Sequence, residues 1–201
     1  MQYYLEHFGV AVAAISGVLA AKGKYVDLFG VIVLALVTAL GGGTFRDVVL
    51  KTPGVFWIHD SSYVVTAAIT AVATFYAARF VRFPAAAFMI ADAFVLGFFT
   101  ILGTSKSLSF AADRIDSVVL GVMTGVAGGV ARDVLLNTLP VVFRKETYLY
   151  ATAAFVGAGT YVLLEAWHPG AIGNRLAAIA IIIGLRLASL QWRFTLPEFE
   201  L

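Results

Sequence analysis

Seven long apolar segments joined by short polar connections constrain this chain more than any other feature of its sequence. They span residues 8–21, 28–50, 63–81, 84–102, 115–136, 148–167 and 176–190 of 201. Apolar helices of about 17–25 residues are long enough to cross the hydrocarbon core of a bilayer. The composition agrees, because 61% of the residues are hydrophobic and only 13% are charged. We therefore predict an all-α membrane protein with seven transmembrane helices in a single domain.

Several classes of protein are disfavoured by what the sequence lacks. It contains no nucleotide-binding loop, no nucleophile elbow and no His-Glu-x-x-His zinc motif, and it has no cysteine. The three histidines, His7, His59 and His168, lie far apart near predicted helix ends. The net charge of +2 is too small to indicate a nucleic-acid partner. We expect neither an enzyme nor an ATP-driven pump, and no cofactor, nucleotide or metal site with a defined motif.

Basic and aromatic residues near the segment ends orient the chain in the membrane. If the amino terminus lies outside, seven basic residues fall on the cytoplasmic side: Lys22, Lys24, Arg79, Arg82, Arg144, Lys145 and Arg193. Four fall on the other side: Lys51, Lys106, Arg114 and Arg175. Because cytoplasmic loops are enriched in lysine and arginine, we predict the amino terminus outside and the carboxyl terminus inside. Aromatic residues at the same ends predict interfacial belts: Trp57, Trp167, Trp192, Tyr3, Tyr4, Tyr63, Tyr148 and Tyr150.

A glycine-rich motif that ends in an Arg-Asp pair occurs twice. Residues 41–48 read Gly-Gly-Gly-Thr-Phe-Arg-Asp-Val, and residues 127–134 read Ala-Gly-Gly-Val-Ala-Arg-Asp-Val. A shift of 86 positions aligns the two copies. Each half holds three predicted helices, so the second half enters the membrane with opposite polarity. We predict an inverted repeat of residues 5–83 and 91–169, followed by a seventh helix at about 175–193. The halves of such repeats commonly meet around a transport site, although a duplication can also persist without function at that interface.

The glycines of the motif have two interpretations. An unwound turn in helices two and five would free backbone groups to line a pathway, which membranes tolerate when those groups face protein or water. Close packing of the helices through small residues is the alternative. The symmetric position of the glycines beside charges favours a broken helix, with Thr44 and Asp47 as a capping box that restarts it.

The charged residues of the motif suggest a pairing. Arg46 and Asp47 are neighbours that point about 100° apart on a helix, as are Arg132 and Asp133. We expect crossed pairs instead, Arg46 with Asp133 and Arg132 with Asp47. Such pairs would neutralise buried charge and control access to the pathway.

Further side chains complete the candidate pathway. Hydroxyl groups within the segments are offered by Ser16, Thr38 and Thr124, although such hydroxyls often bond their own helix backbone. Asp92 and its counterpart Glu6 are expected at pathway mouths, or as carboxylates that favour a helix start. Lys106 is expected at the outer mouth, or extended to the interface. The predicted kink and lining residues are thus Gly41, Gly42, Gly43, Gly128, Gly129, Thr38, Thr124 and Ser16, with Arg46, Asp47, Arg132, Asp133, Asp92 and Lys106 as the charges.

The duplicated glycine cluster followed by Arg-Asp, the three-plus-three-plus-one helix count and the length resemble the prokaryotic branch of the trimeric intracellular cation (TRIC) channel family, a branch often labelled glycine transporter. This resemblance implies a homotrimer in the prokaryotic inner membrane, with a pore through each subunit's helix bundle. It implies permeation of potassium and sodium, with the glycine-kinked helices two and five lining the pore. The Lys-Glu-Val signature of the animal members is absent from the sequence.

Two functions remain open on this basis. One is a passive channel for monovalent cations, in which carbonyl and hydroxyl groups replace hydration weakly. The other is a secondary transporter of a small zwitterion such as glycine, whose carboxylate would bind an arginine and helix amides. The resemblance favours the channel. A purely structural membrane protein would explain the apolar segments but not the duplicated charged motif.

Overall fold

The structure, a computed structural model, describes residues 2–81, 83–110, 112–144 and 149–192. Within these ranges the chain forms α1 (Gln2–Ala20), α2 (Leu28–Val49), α3 (Phe56–His59), α4 (Ser62–Phe80), α5 (Ala85–Ser109), α6 (Arg114–Leu135), α7 (Tyr150–Trp167) and α8 (Ile172–Trp192). A 3-10 turn, Val141–Phe143, follows α6 as the single-turn helix α3 follows α2. Four residues used above for orientation and aromatic belts lie outside the described residues: Arg82, Lys145, Tyr148 and Arg193.

The seven predicted segments all form long helices. In the described part of the chain, six of them are long and apolar enough to cross a membrane: α1, α2, α4, α5, α6 and α8. The remaining helix, α7, is 18 residues long. Its Glu165, together with two tyrosines and two threonines, lowers its hydropathy. The all-α prediction is therefore confirmed, while six rather than seven helices meet the requirements of length and composition.

Each half of the chain builds its own apolar core. One core joins α1, α2 and α4, with contributions from α5, and the other joins α5, α6, α7 and α8. Small side chains line the contacts, since Ala13, Ala35 and Ala67 in the first core and Ala154 and Ala178 in the second are fully or almost fully buried. Small residues let helix backbones approach closely in a bilayer, where packing rather than hydrophobicity drives association.

The two halves meet where α2 crosses α6 at their glycines. A Cβ atom on Gly42 would lie 2.1 Å from the carbonyl oxygen of Thr124, and one on Gly128 would lie 2.3 Å from that of Thr38. Both helices continue without interruption through these positions. The predicted break is therefore wrong, and the alternative of close packing accounts for the glycines.

Thr44 also departs from its predicted role. Its hydroxyl donates to the carbonyl of Leu40 at 2.8 Å, the bond of a residue inside a helix. Because α2 does not restart after Gly43, Thr44 caps nothing and its capping box with Asp47 does not form. It instead accepts a hydrogen bond from the indole nitrogen of Trp57 at 2.9 Å, which ties α3 to α2.

The first turns of α2 and α6 provide a prediction with an internal control. Asp27 caps α2, because its side chain accepts a hydrogen bond from the amide of Gly30 at 2.8 Å. Its counterpart Asp113 makes no such side-chain bond at the start of α6. We expect Asp27→Ala to lower the free energy of unfolding by about 1 kcal/mol, the usual cost of losing an N-cap, and Asp113→Ala to change it by less than about 0.5 kcal/mol. Thermal unfolding in detergent measures both, and equal effects would contradict the assignment.

Candidate functional site

Two cavities enter the bundle from opposite ends. Cavity 1, of about 320 Å³, lies between the first half of α1, the end of α2, α3, the start of α4, the end of α5 and the start of α8. Cavity 2, of about 300 Å³, lies between the end of α1, the start of α5 and the end of α6. Along α1 the first reaches Val10 and the second begins at Leu19. With 1.5 Å of rise per residue, about 14 Å of packed protein separates them.

The barrier between the cavities contains the α2–α6 crossing. Thr38 and Thr124 are almost fully buried there. Each hydroxyl donates to a carbonyl one turn earlier in its own helix at 2.6 Å, that of Leu34 or Leu120. Both hydroxyls are therefore bonded within their own helices, and the packed crossing leaves no open passage between the two cavities.

The α2 charge cluster lies at the end of that helix beside cavity 1. Asp47 is its centre: Oδ1 accepts from Arg46 Nε at 2.7 Å and from Lys106 Nζ at 2.8 Å. Oδ2 accepts from the backbone amide of Phe56 at 3.0 Å. The cluster therefore ties α2 to α5 and to α3 through a single carboxylate.

The α6 charge cluster repeats this arrangement beside cavity 2. Asp133 Oδ1 accepts from Arg132 Nε at 2.8 Å, and Oδ2 accepts from the backbone amide of Val141 at 2.9 Å. Arg132 reaches further with Nη1, which donates to Ser16 Oγ at 3.0 Å and to Asp92 Oδ1 at 3.2 Å. Arg132 is fully buried and pairs with two carboxylates, Asp92 and Asp133, while its Nη2 has no hydrogen-bond partner among the described residues.

The predicted crossed pairs are therefore wrong. Arg46 pairs with Asp47 and Arg132 with Asp133, each with its sequence neighbour. The Nε atom lies near enough to the backbone for a long arginine side chain to curl across the 100° that separates adjacent residues. The clusters also border different cavities at opposite ends of the bundle, which excludes crossed contacts.

Asp92 and Lys106 are both placed inside the bundle. Asp92 lies two turns into α5 and is 2% exposed, so the prediction that it marks a pathway mouth is wrong. Its counterpart Glu6 does line cavity 1. Lys106 turns inward to Asp47 and lines the same cavity instead of extending to the interface.

Several buried side chains were missed or misread in the sequence. Tyr63 and Tyr150 are buried rather than interfacial, and the hydroxyl of Tyr63 donates to Glu6. Arg186 of α8 is fully buried with its guanidinium 4.6 Å from the ring centre of Tyr150. An arginine in the middle of an apolar segment was the signal for it, since such residues usually face the interior of a bundle.

The rim near cavity 1 carries a small polar network. His7 Nε2 lies 2.9 Å from the hydroxyl of Ser62, and Asp60 accepts a hydrogen bond from the Ser62 amide at 2.9 Å. Hydrogen bonds from Ser62 lower the pKa of Asp60. In the described part of the chain, no three histidine, aspartate or glutamate side chains converge as metal ligands.

A family model and several bacterial proteins match most of this sequence. A family model described as glycine transporter matches residues 3–79 and 89–166, two segments whose starts differ by 86. The UPF0126 inner membrane protein YadS of Escherichia coli K12 is 38% identical over 203 residues, covering 99% of this chain and 96% of that protein. A UPF0126 membrane protein of Vibrio cholerae is 37% identical over 200 residues, covering 99% and 83%.

Solved structures show the same fold. A TRIC trimeric intracellular cation channel orthologue from Rhodobacter sphaeroides is 33% identical, with a TM-score of 0.89 over 96% of this chain and 98% of that one. A prokaryotic TRIC channel crystallised in 0.5 M KCl is 28% identical, with a TM-score of 0.88 over 96% and 98%. The resemblance drawn from the duplicated motif is thereby confirmed.

Proposed function

This chain belongs to the family whose model is described as glycine transporter. Within that family, we propose that it is a passive channel for monovalent cations. The observation that carries the proposal is the pair of cavities that enter from opposite ends and stop at one helix crossing. The Rhodobacter sphaeroides protein that shares the fold is a TRIC cation channel orthologue.

Conduction requires the α2–α6 crossing to loosen. Thr38 and Thr124 direct carbonyl groups at the glycines of the opposite helix, so separation of the helices exposes those oxygens to an ion. Carbonyl and hydroxyl oxygens replace the hydration of potassium or sodium weakly, as a channel requires. A glycine contact suits this role, because no side chains need to withdraw.

The two charge clusters control the ends of this pathway. Each joins the last turn of a crossing helix to the chain segment that follows it, Asp47 to Phe56 and Asp133 to Val141. Loosening either cluster frees the end of α2 or α6 to move. The clusters thus couple movement at the cavities to the crossing between them.

The proposal includes an inverted repeat, a trimeric assembly and an orientation in the membrane. Residues 5–83 and 91–169 form the inverted repeat, with α8 as the added helix, and three subunits associate in the prokaryotic inner membrane. The trimer is supported by the name of the Rhodobacter sphaeroides orthologue, and the inner membrane by that of the Escherichia coli relative. Cavity 2 faces the cytoplasm, because the basic residues Lys22, Lys24 and Arg144 line it.

A secondary transporter of a small zwitterion is the second candidate. Its support is the buried Arg46 on the wall of cavity 1, which suits a substrate carboxylate. Such a transporter would alternate between exposure of cavity 1 and of cavity 2, with the crossing as its fixed barrier.

Flux through proteoliposomes separates the two functions. We expect fast potassium efflux down an imposed gradient, without saturation and without any effect of glycine. Labelled glycine should not accumulate in the same vesicles. Saturable glycine uptake coupled to an ion gradient, without uncoupled potassium flux, would replace the channel by the transporter.

The same assay can locate the pathway by cysteine substitution. The chain has no cysteine of its own, so a thiol reagent reacts only with the introduced residue. Ser105→Cys places a thiol in cavity 1 and Thr138→Cys places one in cavity 2. An impermeant thiol reagent should reduce potassium flux through the first variant from the outside and through the second from the inside. Ser61→Cys, at an exposed position outside the cavities, is the control. Full modification of both cavity cysteines without loss of flux would exclude the cavities from the pathway.

A further inference from the structure

Three polar groups of the second half surround a small space beside Gly129. This glycine is buried on α6, three residues before Arg132. A Cβ atom on it would lie 3.7 Å from Nη2 of Arg132, 3.9 Å from Oδ1 of Asp92 and 3.9 Å from Oη of Tyr150. These are ordinary van der Waals distances, so the space accommodates a small group. All three polar side chains are buried, with exposed fractions of 0%, 2% and 6%.

The ion pair beside this space leaves hydrogen-bonding capacity unused. Nη1 of Arg132 donates to Oδ1 of Asp92 and to the hydroxyl of Ser16. In the described part of the chain, Nη2 of Arg132 and Oδ2 of Asp92 have no hydrogen-bond partner. A buried donor or acceptor that lacks a partner is unfavourable, because it has lost its hydration without replacement. The pair therefore requires a ligand that both accepts and donates.

The equivalent position in the first half is filled by an aromatic ring. The 86-residue shift pairs Gly129 with Gly43, and a Cβ atom on Gly43 would lie 2.5 Å from Cε1 of Phe56. The same shift pairs Phe56 with Val142, which has no ring. The second half therefore has a polar space where the first half has a packed apolar contact.

We propose that this space, here called the Gly129 pocket, holds a buried water molecule and extends cavity 2 into the barrier. A cation in the pocket would be repelled by Arg132, and an anion by Asp92. Water is neutral, accepts from Nη2 of Arg132, and donates to the Asp92 carboxylate and the Tyr150 hydroxyl. Three such partners are typical of a buried water in a protein.

The ring of Phe88 separates the Gly129 pocket from cavity 2. Phe88 lines that cavity, and its ring centre lies 4.8 Å from Cζ of Arg132. Ser16, the partner of Arg132 on α1, lies three residues deeper in the barrier than Leu19 of cavity 2. With water in the pocket, the dry part of the barrier runs along α1 from Val10 to Ser16 only. At 1.5 Å per residue this is about 9 Å instead of about 14 Å.

Two substitutions of Gly129 test for the water. In an empty pocket, Gly129→Ala would raise the melting temperature in detergent, and Gly129→Ser would raise it less, because serine is the poorer helix former. A displaced water reverses both effects. We expect Gly129→Ala to lower the melting temperature by about 2–4 °C or more. Gly129→Ser should lower it less, since its hydroxyl can take over hydrogen bonds of the water.

Gly159 provides the matched control for these substitutions. Its Cβ position has open space around it, so alanine at Gly159 should be more stabilising than serine. The same order at Gly129, or a melting temperature of Gly129→Ala that equals or exceeds that of the unsubstituted protein, would overturn the buried water.

Cysteine modification tests the role of Phe88. Ser16→Cys places a fully buried thiol beside Arg132 in a chain that has no cysteine of its own. Added Phe88→Ala should increase its rate of reaction with methyl methanethiosulfonate, a small neutral reagent, by about tenfold or more. Phe83→Ala removes another ring from cavity 2 and should leave the rate unchanged. Equal rates in the two combined variants would show that Phe88 does not close the pocket. Neither experiment measures ion flux, so their outcome is independent of the proposed channel.

Discussion

Gly42→Ala is expected to destabilise the folded protein by about 3 kcal/mol, the upper range for overpacking a close contact. The added Cβ would lie 2.1 Å from the carbonyl oxygen of Thr124, a backbone atom that cannot rotate away. The α2 and α6 helices must therefore separate over their whole crossing. Thermal or denaturant unfolding in detergent, at a fixed protein concentration, measures the loss.

Matched variants distinguish this contact from a general effect of alanine. Gly159, inside α7, has open space around its Cβ position, so Gly159→Ala should leave stability unchanged or raise it by up to about 1 kcal/mol. Gly128→Ala should resemble Gly42→Ala, since its Cβ would meet the carbonyl oxygen of Thr38 at 2.3 Å. The double variant should cost less than the two single changes together, because helices already separated by one Cβ accommodate the second. A neutral Gly42→Ala would show that the crossing is not in close contact.

Hydropathy predicted the helices well and their ends less well. The first helix was expected to start at residue 8 but begins at Gln2. Its first turns carry Glu6 and His7, which lower the local hydropathy. In the folded protein Glu6 accepts from Tyr63, and His7 bonds Ser62. Polar residues that are satisfied by another helix cannot be recognised from their own segment.

The glycine motif was recognised correctly in the sequence, but the broken helices predicted from it were wrong. A cluster of glycines permits either an unwound turn or a close helix contact, and the sequence of one helix is compatible with both. The choice depends on the partner: Thr124 presents a carbonyl to Gly42, and Thr38 presents one to Gly128. Only the pairing of the two motifs in space decides it, and a shift along the sequence does not reveal that pairing.

The ion pairs illustrate a similar limit. The sequence correctly singled out Arg46, Asp47, Arg132 and Asp133, since ionisable groups within apolar segments are costly and rarely accidental. It did not reveal that Asp47 and Asp133 also accept from backbone amides beyond the helix ends. Those amides belong to Phe56 and Val141, which have no chemical signature. A backbone donor can be found only once the chain is folded around it.

Asp133→Ala is expected to lower the free energy of unfolding by about 3 kcal/mol or more. Removal of the carboxylate leaves the fully buried Arg132 without its Nε acceptor and the buried amide of Val141 without a partner. Breaking one side of a buried ion pair typically costs about 3–5 kcal/mol, because the remaining charge stays desolvated. Asp92 still accepts from Nη1 of Arg132 and keeps the loss near the lower end of that range.

The equivalent change in the other half is the natural comparison. Asp47→Ala should cost about 1–2 kcal/mol, because Arg46 borders cavity 1 and the Lys106 side chain is 29% exposed, so water can replace the lost acceptor. The triple variant Asp92→Leu, Arg132→Met and Asp133→Leu should recover much of the loss, since it removes all three buried charges and apolar residues of similar size often replace such groups without penalty. Recovery should be incomplete, because the Val141 amide remains unsatisfied. Equal costs for Asp133→Ala and Asp47→Ala would contradict the different solvent access of the two clusters.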